Sequence, residues 1–154
     1  MTPLKRVEPE THWIDFPTPH VPNSKLPILV YRNALGDTSP ENVISTIEPN
    51  RWFKGGQWKT SKTPHFHSIA HECYGIIKGS TTYILGKAPL DPTLDDHGRP
   101  HGMELRVGVG DVLVLPVCAT PSMFERVDTK QRRREFLMRR SSPTAIMSLL
   151  ASIP

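Results

Sequence analysis

The sequence predicts an all-β protein whose strands close into a barrel or jelly roll. Its 154 residues include 16 prolines and 10 glycines, which favours many turns and short strands over long helices. Short apolar runs recur along the chain, and glycine or proline separates them. The length suits one domain with a modest core, and no internal repeat is visible.

The chain is expected to begin with an extended arm, residues 1–26, which is rich in proline and polar residues. This arm would lie across the domain or across a second subunit; a partly disordered terminus is the alternative. The first strand is predicted over Leu26–Arg32, with Pro27 at its start, where a missing N–H is tolerated. We assign residues 27–141 to the barrel and residues 142–154 to a helical tail.

A short helix is predicted to begin within Thr38-Ser39-Pro40-Glu41, which combine a hydroxyl N-cap, a proline in the first turn and an early acid. Its apolar face contains Val43, Ile44 and Ile47, and Pro49 is expected to end it. We expect this helix to pack on the outside of the barrel.

The remaining elements are mostly strands. A strand and turn over residues 52–58 are followed by a hairpin, in which strands 72–77 and 81–85 are joined at Gly79. Residues 87–103 form a long loop, and such loops in compact domains are usually functional or disordered. The later predicted elements are strands 104–109, 111–115, 122–127 and 134–139 and a C-terminal helix over 143–153.

Three side chains with metal-binding groups lie near the middle of the sequence: His65, His67 and Glu72. The two histidines are two residues apart, so their imidazoles leave the same face of an extended strand. Two imidazoles and one carboxylate on one side of a sheet make a divalent-metal site with open positions. The alternative is a polar, hydrogen-bonded interior without metal.

The pattern H-x-H, four residues, E, six residues, G over residues 65–79 resembles the first motif of the cupin superfamily. Residues 110–116, Gly-Asp-Val-Leu-Val-Leu-Pro, resemble the opening of the second cupin motif. Cupins then have a glycine and, three residues later, a fourth metal-binding histidine. This chain has Cys118 and Pro121 at those positions, and proline offers no donor atom to a metal. The resemblance covers about residues 27–136.

Within the superfamily, the resemblance is strongest to small single-domain (YjlB-like) cupins. They resemble this chain in the Pro-Ile-Leu-Val-Tyr-Arg-Asn-Ala-Leu segment, in His-Ser-x-x-His-Glu and in the Gly-Asp-Val-Leu-Val-Leu-Pro strand. The resemblance implies an RmlC-like jelly-roll barrel with a few short peripheral helices, and a homodimer. It also implies a role similar to that of tailoring cupins in fungal biosynthetic clusters. A divalent metal (Fe, Zn, Mn or Ni) would rest on His65, His67 and Glu72, with water, substrate or another histidine completing its coordination.

Composition narrows the classes of partner. Nineteen Lys and Arg against fifteen Asp and Glu give a net charge of +4 and a pI near 9.3, which suits an anionic small molecule. Nucleic acid is disfavoured, because no aromatic residues are interleaved with the basic ones. Cys73 and Cys118 fit a reducing compartment rather than a disulfide framework. The N-terminus has no apolar signal region and no stretch suits a membrane span, so we expect a cytoplasmic protein.

Two tyrosines are further candidate catalytic residues. On inward-facing registers, Tyr74 and Tyr83 would line the pocket and offer a phenol as proton donor or orienting group; core packing is the alternative. His71 should point away from its neighbour Glu72 and have a structural or surface role; the alternative is that the strand bulges here and His71 replaces the missing ligand. The loop histidines His97 and His101 are expected to be solvated, although either is a possible substitute for the missing ligand.

Other residues carry weaker signals. Cys118 is more typical of a small buried filler than of a nucleophile, because no base lies beside it in the sequence. The arginines at 132–134 and 139–140 are typical of a solvated turn and strand end. One of them, turned inward, would hold a carboxylate substrate bidentately, but the pattern does not select which.

Three functions remain open from the sequence. The favoured one is a metal-dependent enzyme that tailors a small organic substrate, with the metal as Lewis acid or dioxygen activator in an oxygenase, isomerase, cyclase or lyase. The second is a metal-free cyclase or dehydratase that uses the acid–base groups of the pocket. The third is a non-catalytic binding module, because the fold alone does not fix the function.

Overall fold

The computed structural model describes residues 2–14, 16–58 and 65–117, and the strand backbone of residues 134–140. The strands are β1 (Glu10–His12), β2 (Ile28–Tyr31), β3 (Phe53–Trp58), β4 (His71–Lys78), β5 (Ser80–Leu85), β6 (Met103–Gly108), β7 (Val112–Leu115) and β8 (Arg134–Arg140). One helix, α1 (Pro40–Ile47), continues into a 3₁₀ turn (Glu48–Asn50). The described chain is therefore mostly β, as the sequence predicts. The predicted strand 122–127 and the C-terminal helix lie outside the described residues.

Two antiparallel sheets contain these strands. The larger one has the order β1-β2-β7-β4-β8-β3, and the smaller one pairs β5 with β6. Most neighbours in the large sheet are distant in the sequence; β4, for example, lies between β7 and β8. This sheet therefore depends on contacts between remote parts of the chain.

The predicted hairpin of β4 and β5 is wrong. Both edges of β4 carry hydrogen-bonded partners in the large sheet, so no edge is left for β5. Instead, the chain turns at Gly79, whose φ of 76° lies in the left-handed region that glycine adopts without strain, and β5 enters the small sheet. The sequence signal correctly indicates a turn, but it does not reveal that the turn connects two sheets.

An inner core fills the space between the two sheets. It consists of buried apolar side chains from both sheets and from the arm: Ile14, Ile28, Val30, Tyr74, Ile76, Tyr83, Leu85, Leu105, Val107, Leu113 and Leu115. Along β5 the burial alternates, with Thr81, Tyr83 and Leu85 inward, as the period of two predicts. The inner core therefore lies on the face of β4 that carries Tyr74.

An outer core covers the other face of the large sheet. Its strand members alternate with those of the inner core, and α1 contributes Val43 and Ile47. The N-cap of α1 is Ser39, whose side chain accepts a hydrogen bond from the Asn42 backbone N–H at 3.4 Å, in agreement with the sequence prediction. Because both faces of the sheet are covered, all four residues of β2 and all four of β7 are buried, as their uninterrupted apolar runs indicate.

A close contact fixes the position of α1 against β4. A side chain at Gly75 would begin 3.1 Å from Cγ1 of Val43. Glycine at this position therefore allows α1 to approach the sheet closely, on the face opposite Tyr74.

The turn before β7 is held by Asp111. Its carboxylate accepts hydrogen bonds from the backbone N–H groups of Asn33 (2.8 Å) and Gly108 (3.0 Å) and from Nη1 of Arg32 (3.0 Å). Gly110, at φ 92°, gives the turn its shape. The Gly-Asp pair therefore connects the start of β7 to the end of β2.

The N-terminal arm lies on the sheets in the described structure. Strand β1 pairs with β2 at one edge of the large sheet. Further along, the buried carboxylate of Asp91 accepts hydrogen bonds from the Thr18 hydroxyl (2.5 Å) and from the His20 backbone (3.2 Å). No helix in the described parts of the chain is long and apolar enough to cross a membrane.

Candidate metal centre

The two histidines of the motif lie just before β4 rather than on a strand. Residues 65–70 have no regular secondary structure, and β4 begins at His71. The expectation that His65 and His67 share the face of an extended strand is therefore wrong in its local geometry. Glu72, by contrast, is the second residue of β4 and belongs to the large sheet.

The three side chains nevertheless converge. One donor atom from each of His65, His67 and Glu72 lies within 4.8 Å of the other two. The imidazoles meet edge to face, with ring centroids 5.0 Å apart. Nε2 of His67 is 3.1 Å from Oε1 of Glu72. The short segment before β4 thus folds back over the acid at the beginning of that strand.

Burial differs across the cluster. The side chain of Glu72 is 1% exposed and that of His67 is 23% exposed, while His65 is the most exposed of the three. The carboxylate therefore forms the floor of the cluster and the imidazoles its outer side. A buried carboxylate requires polar partners; the Tyr74 hydroxyl supplies one at Oε2, and Nε2 of His67 lies 3.1 Å from Oε1.

Two tyrosines adjoin the floor of the cluster from the inner core. The hydroxyl of Tyr74 donates a hydrogen bond to Oε2 of Glu72 at 3.1 Å. The ring of Tyr83, on β5, lies 6.3 Å from that of Tyr74, centroid to centroid. Glu72 and Tyr74 lie on the same face of β4, as the sequence predicts from their spacing. Tyr83 is brought to them by the packing of the small sheet on the large one.

The donor set fits a divalent transition metal. Metal–ligand bonds of about 2.0–2.2 Å separate neighbouring ligand atoms by about 3.0–3.5 Å, and the 3.1 Å between His67 and Glu72 lies in this range. Two imidazoles and one carboxylate suit iron, zinc, manganese or nickel and leave coordination positions for water or substrate. Cys118 and Pro121, where the fourth cupin ligand is expected, lie outside the described residues.

The other histidines near this region lie elsewhere. His71 is buried on the opposite face of β4 from Glu72, and its Nδ1 accepts a hydrogen bond from the Val117 backbone N–H at 2.9 Å. His101 places Nδ1 3.0 Å from the Pro92 carbonyl oxygen within the loop, and His97 is exposed. Over the described ranges, the group of potential metal donors contains His65, His67 and Glu72 alone.

The register of β8 distinguishes between the arginines. Arg139 is paired with Glu72 on β4 and with Phe53 on β3, whereas Arg140 is paired with His71. A basic residue position therefore lies directly opposite the acid of the cluster. Arg132 and Arg133 lie outside the described residues.

Two exposed apolar side chains near the cluster were not singled out from the sequence. Phe66 and Ile69 lie on the same segment as the histidines and are 41% and 79% exposed. The sequence does show Phe66 between the two histidines, and this apolar residue was the available indication of apolar surface near the cluster. Because they lie on the segment that carries the histidines, both side chains are accessible to a molecule bound at the cluster.

The structure contains a cavity, but it is not at this cluster. It lies on the other side of the large sheet, between the N-terminal arm, α1 and the outer core, and Leu4, Tyr31, Ile47 and Cys73 are among its lining residues. Its volume of about 20 Å³ has room for about one water molecule. It is therefore too small to hold an organic substrate.

The chain has only weak structural similarity to the known proteins reported below. No family model matches the chain, and no curated protein matches it. The structure of vicilin from hazelnut (Corylus avellana) aligns with this chain at 12% sequence identity and a TM-score of 0.37. The alignment covers 81% of this chain and 34% of the vicilin chain. The structure of YcfD, a ribosomal oxygenase from Escherichia coli, aligns at 14% sequence identity and a TM-score of 0.33. That alignment covers 82% of this chain and 35% of the YcfD chain. The chain thus spans about a third of each structure, and likenesses this weak carry no argument about fold or function.

Proposed function

We propose that this protein is a cupin-type enzyme that binds a divalent metal through His65, His67 and Glu72 and acts on a small organic substrate. The observation that carries the proposal is the convergence of these three donors at the beginning of β4. His65 and His67 lie on a segment without regular secondary structure, and Glu72 lies on strand β4. The spacing that resembles the cupin motif therefore corresponds to a compact group of side chains.

The proposed fold is a cupin jelly roll. Two antiparallel sheets that pack face to face around an inner core support it. The segment that resembles the second motif forms the turn at Asp111 and β7, and Leu115 of β7 is paired with Glu72. Both motif-like segments therefore meet beside the candidate metal centre.

In the proposed site, each residue has a distinct task. Glu72 provides a buried carboxylate, and the imidazoles of His65 and His67 provide nitrogen donors at the outer side. A divalent metal bound there supplies a Lewis acid with open coordination positions. Phe66 and Ile69 offer apolar contact to the body of a substrate.

An anionic substrate is the class we propose. The net charge of +4 favours approach of an anion. The register also places Arg139 opposite Glu72, so a basic residue position adjoins the proposed centre. A polyketide-type or other secondary metabolite with a carboxylate or an enol would fit these features.

The first test is metal content and affinity. Protein purified without added metal is analysed by mass spectrometry, stripped with EDTA, and titrated with Fe²⁺, Zn²⁺, Mn²⁺ and Ni²⁺ in separate calorimetric experiments. We expect about one metal per chain in the wild type and at least a hundredfold weaker binding in His67→Ala. His97→Ala is the matched control, because it removes an exposed histidine outside the cluster.

Two outcomes would overturn the metal-dependent proposal. One is wild-type protein that binds none of the four metals; the other is equal loss of binding in the His67 and His97 variants. Catalysis is then tested by incubating metal-loaded and stripped protein with small-molecule extracts of the host and comparing products. Turnover that survives EDTA would favour the metal-free enzyme, and binding of a metabolite without turnover would favour the binding module.

A further inference from the structure

The two oxygens of Glu72 have different partners. Oε1 lies 3.1 Å from Nε2 of His67, while Oε2 accepts the hydrogen bond from Tyr74 at 3.1 Å. One oxygen is therefore directed to the imidazole side of the cluster and the other to the inner core. A carboxylate that rotated freely about its Cγ–Cδ bond would exchange the positions of its two oxygens, so these two contacts define one orientation of the group.

The local structure fixes this arrangement. Glu72 and Tyr74 are two residues apart on β4, so their side chains leave the same face of one strand. The side chain of Glu72 and the residue Tyr74 are each 1% exposed, so water does not compete for the bond. Strand β4 is held on both edges by β7 and β8, which makes it a rigid base for the pair.

The ring of Tyr74 is also held in place. It packs in the inner core among buried side chains and lies 6.3 Å from the ring of Tyr83, at an interplanar angle of 39°. A phenol fixed by packing presents its hydroxyl from a constant position. Hydrogen bonds to metal-ligating carboxylates orient the ligand, and their loss commonly weakens metal binding by about 10- to 100-fold.

We propose that Tyr74 is a positioning residue of the metal centre, whose hydroxyl holds Oε2 of Glu72 so that Oε1 faces the metal beside His67. This inference rests on the proposed metal site. It assigns to Tyr74 an effect on the affinity for the metal, exerted through Glu72, and no contact with the metal or the substrate.

The test compares two Tyr→Phe variants. Tyr74→Phe removes the hydroxyl that contacts Glu72 and leaves the ring. Tyr31→Phe is the matched control, because Tyr31 is equally buried but belongs to the outer core on the opposite face of the large sheet. Stripped protein of each kind is titrated with Zn²⁺ in competition with a chromophoric chelator, and with Co²⁺ to record its visible absorption spectrum.

We expect Tyr74→Phe to bind Zn²⁺ about 10- to 100-fold more weakly than wild type, with an altered Co²⁺ spectrum, while Tyr31→Phe stays within about threefold. Circular dichroism and thermal unfolding establish that both variants are folded. If Tyr74→Phe does not fold, Tyr74→Met, which also removes the hydroxyl and can fill the core, is titrated in its place and should show the same weakening of Zn²⁺ binding, about 10- to 100-fold.

The outcomes separate the two proposals. Wild-type protein that binds neither Zn²⁺ nor Co²⁺, nor any of the other metals of the first test, would refute the metal site itself; if it binds one of those instead, the variants are compared with that metal. Wild-type binding with an unchanged affinity and spectrum in Tyr74→Phe would refute the positioning role alone. Equal weakening in Tyr74→Phe and Tyr31→Phe would point to a general loss of packing and would also refute it.

Discussion

Replacing Asp111 by alanine should destabilise the protein substantially, because this carboxylate joins three parts of the chain. It accepts hydrogen bonds from the backbone N–H groups of Asn33 and Gly108 and from the guanidinium of Arg32. Its side chain is 11% exposed, so the two N–H groups would lose their partner in a partly dry environment. Strand β7, which begins next to Asp111, carries the residue paired with Glu72.

The size of the effect follows from these contacts. Each backbone hydrogen bond to the charged oxygen contributes roughly 1.5 kcal/mol, at the lower end for charged acceptors. The pair with Arg32 adds less than about 1 kcal/mol, because the arginine side chain is 39% exposed and screened by solvent. Asp111→Ala should therefore lower the free energy of unfolding by about 3–4 kcal/mol. In a chain of this length, that corresponds to a fall in Tm of roughly 6–15 °C.

Urea unfolding at pH 7, followed by tryptophan fluorescence and circular dichroism, measures this change. Asp111→Asn keeps one carbonyl acceptor and should lose about half as much as Asp111→Ala. Asp96→Ala, which removes an exposed acid from the long loop, is the control and should change stability by less than about 0.5 kcal/mol. A loss below 1 kcal/mol in Asp111→Ala, or one equal to that of the control, would refute the reasoning.

Two further predictions concern titratable groups. Burial alone would raise the pKa of Asp91, but hydrogen bonds from Thr18, the Ala88 N–H and His20 together lower it below its ordinary value of 3.8. A lowered pKa in the folded state stabilises the fold above the unfolded value, and this contribution is lost as the pH falls through the folded value. The unfolding free energy should thus fall less between pH 6 and pH 3 in Asp91→Asn than in wild type; an equal fall contradicts the assignment. Burial also raises the pKa of Cys73 to about 12, so native Cys118→Ser protein should not react with a thiol reagent at pH 8 until urea unfolds it. Rapid labelling of the native variant would contradict this.

Several features follow from neighbouring residues and could be predicted from the sequence. The N-cap at Ser39 and the helix after it depend only on contacts within a few residues. The inward positions of Thr81, Tyr83 and Leu85 follow from the two-residue period of a strand. Pro49 was expected to stop the helix, and α1 indeed ends at Ile47. The chain then makes a 3₁₀ turn with Pro49 in its first positions, where no backbone N–H is needed.

Strand pairing could not be predicted in this way. The turn at Gly79 was recognisable, but β4 pairs with β7 and β8, and β5 pairs with β6. The choice of partner depends on which strands cover both faces and both edges of β4, and those strands lie far away in the sequence. For the same reason, the sequence could not show in advance that Arg139 would lie opposite Glu72; this follows from the register of β8 against β4.

The sequence by itself determined the β character of this protein, the helix at Pro40 and the three residue types of the candidate metal centre. These depend on local propensity, on alternation and on the chemistry of imidazole and carboxylate groups. Only the tertiary structure decided that His65 and His67 fold over Glu72 from a segment outside the strands, and that Tyr83 of the small sheet packs beside Tyr74. Such distances are set by the packing of two sheets around a common core, which no local pattern encodes.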